Sequence, residues 1–255
     1  MTAQAGFYAD ADAYDRTSAR WTEQLARELV PWLGIRRDAR WLDVGCGTGA
    51  VSDAIMDLAW PGAVTGIDSS EPFLAAARRK VPSARFDAGD ATSLPYPDGS
   101  FDAVVSSLVV PLVPDPEKAI AEMARVAAPG GVVGLAVWDG KDYLQHEYWD
   151  ASAEAGTGGR EPDRIRSGED LTRLLVGAGL RDPQTRLLTL SVGFDGFDEY
   201  WQTILGRKGQ VAAHFNSQPP AKQAAIRESL RPRVERKPGA KVAVAASAWA
   251  GRARR

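Results

Sequence analysis

Cysteine and histidine are almost missing from this sequence: Cys46 stands alone, and His146 and His214 are the two histidines in 255 residues. A single cysteine excludes an internal disulfide framework and any multi-cysteine zinc or iron–sulfur site. Two histidines leave no material for a histidine-built metal centre either, so no metal is expected. No apolar run approaches the ~20 residues that cross a bilayer. Met1 to Asp12 shows no basic stretch followed by an apolar one, hence no secretory leader. The expectation is a cytoplasmic protein with no membrane contact. No Ser/Gly/Pro-rich linker splits the chain and no internal repeat is visible. With 44% hydrophobic and 25% charged residues it reads as one globular domain.

Charge of one sign is also scarce overall. The formal net charge is −2, too small for bulk electrostatic attraction to nucleic acid. Its distribution is uneven, because nine basic residues against two acidic ones follow from Arg227 to Arg255. Such a run usually marks a solvated face and a basic tail. The alternative is a phosphate footprint for RNA.

Two periodicities alternate through the first 140 residues. Trp21, Leu25, Leu29, Trp32 and Leu33 fall at three- and four-residue steps, predicting an amphipathic helix over 17–33 that closes near Pro31. Apolar runs at 41–44, 64–68, 84–88, 101–108 and 132–138 predict strands, and 49–58, 71–80 and 116–127 predict helices between them. Strand and helix alternating in this way imply a doubly wound, mostly parallel α/β sheet. Beyond 140 the pattern loosens: loop at 156–168, helix at 169–178, strand at 183–192, a helical insertion over 196–233, and a last strand at 242–249. The working division is a cap helix (1–38), a core (39–140), a loop–helix–strand segment (141–195), an insertion or lid (196–238), and the last strand with a basic tail (239–255).

The chemistry concentrates at strand ends. Leu42 to Gly49 places Asp43, Gly45, Gly47 and Gly49 between a strand and a helix, where bare backbone lets a ligand lie close. Asp68 closes the next strand, placed to accept from ribose hydroxyls. Asp90 follows the third, placed to accept from an exocyclic adenine amine. Dinucleotide sites want Gly-x-Gly-x-x-Gly; here the spacing is Gly-x-Gly-x-Gly and Ala50 follows. A carboxylate just before the loop would repel a pyrophosphate, but it suits an ammonium and a sulfonium. This disfavours a nicotinamide oxidoreductase.

On these residues, the segment from Arg40 to Trp138 resembles the class I S-adenosylmethionine-dependent methyltransferases, especially the small-molecule branch with the ubiquinone/menaquinone C-methyltransferases. The matching stretches are Leu42–Gly49, Gly66–Ser70, Gly89–Ala91, Leu94–Asp102 and Ala128–Gly131. The resemblance implies a seven-stranded Rossmann-like sheet with an antiparallel last strand. It implies that Gly45, Cys46, Gly47 and Gly49 line the methionine portion with Asp43 behind them, and that Asp68 and Ser69 hold the ribose. Asp90 and the Ala91 N–H would read adenine, and the Ser107 main chain would meet the methionine amino group. S-adenosyl-L-methionine is then the cofactor and S-adenosyl-L-homocysteine its product. Several relatives carry His or Asn just after the fourth strand, where this chain reads Val110-Pro111-Leu112-Val113-Pro114. The Asn/Asp-Pro-Pro-Tyr signature of many exocyclic-amine methylases is absent.

Methyl transfer from a sulfonium needs a base only when the nucleophile arrives protonated. Candidates, in no fixed order, are His146, His214, Tyr14 and Asp139, and His146, shortly after the fifth strand on the cofactor side of the sheet, is taken as the catalytic one. Tyr8, Tyr14 and Trp21 either fold over the cofactor or pack the first helix on the sheet. Phe194, Phe197, Tyr200, Trp201 and Phe215 either roof an acceptor pocket or form the insertion's own core. Tyr14, Trp138 and Trp201 are carried forward as acceptor contacts. The expected acceptor is a small, apolar or aromatic metabolite methylated on oxygen or carbon. The alternatives are an RNA methyltransferase using the basic C-terminal stretch and a non-catalytic S-adenosylmethionine-binding protein. A homodimer is compatible with the sequence.

Overall fold

The computed structural model describes residues 11–141, 145–159, 164–206, 210–237 and 239–255. Tyr8 lies outside the described residues. The chain runs α1 (Ala11–Leu33), β1 (Arg40–Val44), α2 (Ala50–Leu58), β2 (Ala63–Asp68), α3 (Glu71–Lys80), β3 (Arg85–Ala88) and β4 (Phe101–Ser107). There follow α4 (Pro116–Val126), β5 (Ala127–Trp138), α5 (His146–Glu154), α6 (Gly168–Gly177), β6 (Arg181–Phe194), α7 (Phe197–Gly206), α8 (Gln210–Ser217), α9 (Pro220–Val234) and β7 (Val242–Arg254). One seven-stranded sheet has the order β3-β2-β1-β4-β5-β7-β6. The first five strands pair in parallel; β7 is antiparallel to both β5 and β6. This is the sheet that the strand–helix alternation implied.

Side chains alternate across the sheet. In β1, Trp41 faces the core shared with α1, α2 and the 197–234 helices, while Leu42 and Val44 face the core under α4 and α6. Asp43 therefore shares the Trp41 face, one step closer to the carboxyl end of the sheet. The helices add their own signals. Asp115 caps α4 by accepting from Lys118 N–H at 2.9 Å, and Ser167 caps α6 by accepting from Asp170 N–H at 3.1 Å. At α3, Ser70 holds the cap position without a side-chain capping bond; its N–H instead donates to Asp68 at 2.8 Å.

Four features differ from the sequence reading. Helix α1 starts at Ala11, nearly three turns before Trp21, the first large apolar residue of its stripe. Strand β5 starts at Ala127, because the Pro129-Gly130-Gly131 turn is accommodated as an irregularity in the β4–β5 register instead of lying outside it. Helix α5 was not foreseen, since no side chain caps it, though Tyr148, Trp149, Ala151 and Ser152 are buried.

The fourth difference is the basic C-terminus, which is no tail. Arg252 and Arg254 belong to β7, and the β5–β7 ladder runs to Val132↔Arg254. The Arg252 guanidinium donates to the carbonyls of Trp32 and Leu33 at 2.7 and 2.8 Å, closing the C-terminus of α1. Upstream, Arg227 pairs with Asp198, Arg231 with Glu235, and Arg233 with Glu147 and Glu154. Among the described residues, no helix is long and apolar enough to cross a membrane.

Candidate functional site

The β1–α2 loop, beyond the carboxyl edge of the sheet, is held by its own backbone. The N–H groups of Gly45 and Cys46 donate to the Ile67 carbonyl at 2.7 and 3.1 Å. Gly45 is obligatory on two counts. Its φ is +71°, and a Cβ there would sit 2.4 Å from Cγ2 of Val109. The glycine loop thus lies directly against the segment that leaves β4.

Asp68, at the end of β2, accepts from Gly47 N–H at 2.9 Å and from Ser70 N–H at 2.8 Å, so one carboxylate spans the glycine loop and the start of α3. Burial raises its pKa from the ordinary carboxylate value, against the lowering pull of these N–H donors. Asp43 is 1% exposed and accepts from the Ser52 hydroxyl at 2.7 Å. Desolvation, only partly offset by the Ser52 hydrogen bonds and reinforced by the Asp68 charge, pushes its pKa up to about 7. The Cys46 thiol is raised by burial and then by Asp43 and Asp68. It is a packed, unreactive group, set among Leu74, Ala77, Val81 and Phe86. Asp90, past β3, makes a turn in which its carboxylate accepts from Thr92 N–H at 2.8 Å.

A cavity of about 670 Å³ opens over these groups. One half is polar: Asp43, Gly45, Cys46, Gly47, Asp68, Ser69, Asp90 and Ala91 line it. The other half is apolar, formed by Leu108, Val109, Pro111, Leu112, Val113 and Pro114 with Trp138 and Trp21. Ser107, the last residue of β4, also lines the cavity. Leu108 has φ +63°, an uncommon and costly conformation for a leucine, and its N–H is pinned to the Ala136 carbonyl at 2.8 Å. Helix α1 closes the cavity from above, with Tyr14 against the Phe73 ring at 5.1 Å and Asp15 accepting from the Thr48 hydroxyl at 2.6 Å.

The structure thus brings together nearly all the residues singled out from the sequence, and separates three. Gly49 lies below the cavity at the start of α2, where a Cβ would meet Ala77 at 3.3 Å. His146 is not among the lining residues; its ring lies 3.4 Å from Glu147 at the start of α5. Trp201 is 8% exposed, is not among the lining residues, and packs on Phe197 and Phe215 within the large core that the insertion shares with α1 and the sheet. Two further base candidates also face elsewhere. His214 bonds Tyr148 through Nδ1 at 2.8 Å and the Thr157 carbonyl through Nε2 at 3.1 Å. Asp139 accepts from the Trp249 indole at 2.9 Å. Conversely, sequence reasoning did not pick out Ser18, Thr22, Phe73 or Gln210, which line the cavity. Only the helical phase of α1 could have pointed to Ser18 and Thr22.

Among the described lining residues there is no Arg, Lys or His. A pyrophosphate would meet carboxylates and find no cation. A nucleoside carrying a positive centre finds acceptors for its ribose, its base amine and its charge, in a volume typical of small-ligand sites. The residues therefore fit an adenosyl sulfonium.

This strand order with an acidic, glycine-bent rim beyond the carboxyl ends is the Rossmann-like architecture of class I methyltransferases. The comparisons agree: residues 42–135 match the model of the methyltransferase domain family. A demethylmenaquinone methyltransferase of Renibacterium salmoninarum is 40% identical over 130 residues, 49% of this chain and 54% of that protein. A nocamycin O-methyltransferase of Saccharothrix syringae is 36% identical over 131 residues, 49% of this chain and 47% of that protein. The crystal structure of the YcgJ protein from Bacillus subtilis superimposes with a TM-score of 0.58 at 20% identity, covering 92% of this chain and 97% of that one. The likeness to the methyltransferase domain family thus lies over residues 42–135, and the solved structure shares the fold over most of the chain. The chain spans about half the length of the curated relatives it matches.

Proposed function

We propose that the protein transfers the methyl group of S-adenosyl-L-methionine to an oxygen or carbon of a small, uncharged, apolar or aromatic acceptor. One observation carries this reading: a single cavity joins carboxylates at three successive strand ends to a wall of Leu108, Val109, Pro111, Leu112 and Val113. Among the relatives are proteins named for methylating demethylmenaquinone and, on oxygen, nocamycin.

In this reading Asp68 holds the ribose, Asp90 and Ala91 read the adenine, and the Ser107 main chain receives the methionine ammonium. When bound, the cofactor supplies a methyl group on an already activated leaving group. The chain's own task is to hold the acceptor atom in line, which can remove up to ~7–11 kcal/mol of barrier in ideal cases. The apolar wall excludes water and orients the acceptor by shape. Among the described residues, Tyr14 is the titratable side chain lining this space outside the glycine loop and the strand ends, so the site suits an acceptor that enters neutral and gives up its proton without a strong base. The paired arginines of α9 and the capping role of Arg252 give an RNA acceptor no support.

The test combines calorimetry with product analysis. Wild-type protein should bind S-adenosyl-L-homocysteine near the micromolar level, about −8 kcal/mol, and Asp68→Ala should weaken this by about a hundredfold, the scale of losing a charge-assisted pair of hydrogen bonds. Incubation with labelled cofactor and a panel of quinols, phenols and carboxylates should label the uncharged members. Labelling confined to carboxylates, or uptake of NAD in place of the adenosyl ligand, would refute the reading.

A further inference from the structure

Asp43 is a buried carboxyl that faces no cationic side chain among the described residues. It is 1% exposed, and its closest donor is the neutral Ser52 hydroxyl of α2 at 2.7 Å. The titratable groups facing it from other elements carry the same sign when ionised: Asp68 from β2 and the Cys46 thiol from the glycine loop. From α1, Tyr14, Ser18, Trp21 and Thr22 reach the cavity, and Asp15 is engaged by Thr48. No Arg, Lys or His lines the cavity among the described residues. An ionised carboxylate away from water and without a partner is strongly disfavoured. The floor of the cavity is therefore electrostatically incomplete until a cation enters.

We propose that Asp43 reads the charge on the cofactor's sulfur and makes the site prefer the sulfonium donor over the neutral thioether product. This rests on the cofactor reading given under Proposed function. Both ligands present the same adenosine, ammonium and carboxylate, so contacts to those parts cannot tell them apart. They differ by one methyl and one unit of charge. In the transfer the S–CH3 bond breaks, its electron pair stays on sulfur, and the methyl carbon bonds the acceptor atom. The sulfur then has no charge to offer Asp43, and the carboxylate is left less compensated than before the reaction. The site is thus built to loosen its hold on the product, and to do so only while Asp43 is ionised. Burial holding its pKa up to about 7 places this dependence in the neutral range. Below it, entry of the sulfonium expels a proton, and entry of the thioether expels less of one.

The experiment is calorimetric titration of the intact chain with S-adenosyl-L-methionine, S-adenosyl-L-homocysteine and sinefungin, which carries an ammonium in place of the sulfonium. It runs from about pH 5 to about pH 6.7, a unit below the pKa of a free α-amino group, in two buffers of different ionisation heat. The product-to-donor ratio of Kd values should rise about tenfold over that span. The donor and sinefungin should each release close to one proton at the acid end, and the thioether distinctly less. In Asp43→Asn, whose amide oxygen can still accept from Ser52, the ratio should be flat. Equal proton release by donor and product, or the wild-type slope persisting in Asp43→Asn, overturns the proposal. If the variant binds neither ligand, the wild-type proton count decides alone. Tight binding of both ligands with a flat ratio sinks this inference and leaves the cofactor reading standing; binding of neither to the wild type removes both.

Discussion

The Thr48 hydroxyl donates to the Asp15 carboxylate across 2.6 Å, joining the first helix to the glycine loop. Thr48 is 4% exposed, so this is a shielded, charge-assisted bond. Thr48→Val keeps the shape and removes the donor, leaving Asp15 to find water. We expect a loss of about 1–2 kcal/mol in thermal unfolding and a several-fold weaker cofactor. Unchanged calorimetric affinity would show that α1 closes over the loop without this bond.

Gly45 and Val109 allow a two-residue experiment. Gly45→Ala places a methyl 2.4 Å from Val109 Cγ2 at φ +71°, and should cost about 2–4 kcal/mol from overpacking and backbone strain together. Val109→Ala in the same chain removes the two closest methyls but leaves its Cβ 2.9 Å away, so it should return most of the packing part and leave the rest together with the ~1 kcal/mol due to the left-handed backbone. Strict additivity in the double-mutant cycle would contradict the contact.

Asp43 has a consequence for stability as well as for binding. Its folded pKa, about 7, lies above the ordinary carboxylate value near 3.8, so the folded state holds more protons than the unfolded one between those limits. Stability from this group is greatest below the unfolded value and falls as the pH rises through about 7. Asp43→Asn removes that penalty. The ligand-free variant should be more stable than wild type at about pH 8, on the order of 2 kcal/mol, with the difference vanishing towards pH 4. A variant less stable at every pH would show that the carboxylate is well solvated or paired.

Leu112 presents nearly half its surface at the apolar wall. Leu112→Asp should raise the KM for an apolar acceptor at least tenfold, since a buried charge there costs more than the ~1.4 kcal/mol that a factor of ten represents. Cofactor Kd should stay within twofold, because that half of the cavity is untouched. An equal loss of both would place Leu112 in the cofactor's half.

Arg252 should matter out of proportion to its surface position. Arg252→Ala releases the carbonyls of Trp32 and Leu33 and the stacking on the Trp32 ring at 5.1 Å. We expect a drop of about 2 kcal/mol, seen as a lower Tm, with Arg252→Lys recovering part of it. No change in Tm would return this residue to the role of a solvated charge.

What could be seen in the sequence was whatever local chemistry announces. The core strands are unbroken apolar runs between Pro, Gly and Asp punctuation, and the carboxylates stand at their ends, so sheet and cofactor rim were both legible. Helix α5 was hidden because its buried face mixes Tyr148, Trp149 and Ser152 with polar neighbours and no cap marks its start. The run Leu108 to Pro114 read only as lacking a His or Asn; that it forms a wall depends on the backbone turn at Leu108, which a leucine does not advertise. His146 and Trp201 were chosen by residue type and order along the chain. Their real surroundings depend on how the 197–234 helices fold back over α5, a long-range matter that no local pattern encodes.

The antiparallel seventh strand sets an order of events during synthesis. Strand β6 touches the sheet only through β7, and β7 lies between β5 and β6. A nascent chain still short of Val242 can assemble five parallel strands, but β6 has nothing to pair with and the β5 edge stays open. For that interval two unpaired edges are exposed at once, an invitation to mispairing. Conditions that slow synthesis across Val242–Arg254 should therefore lower the soluble yield.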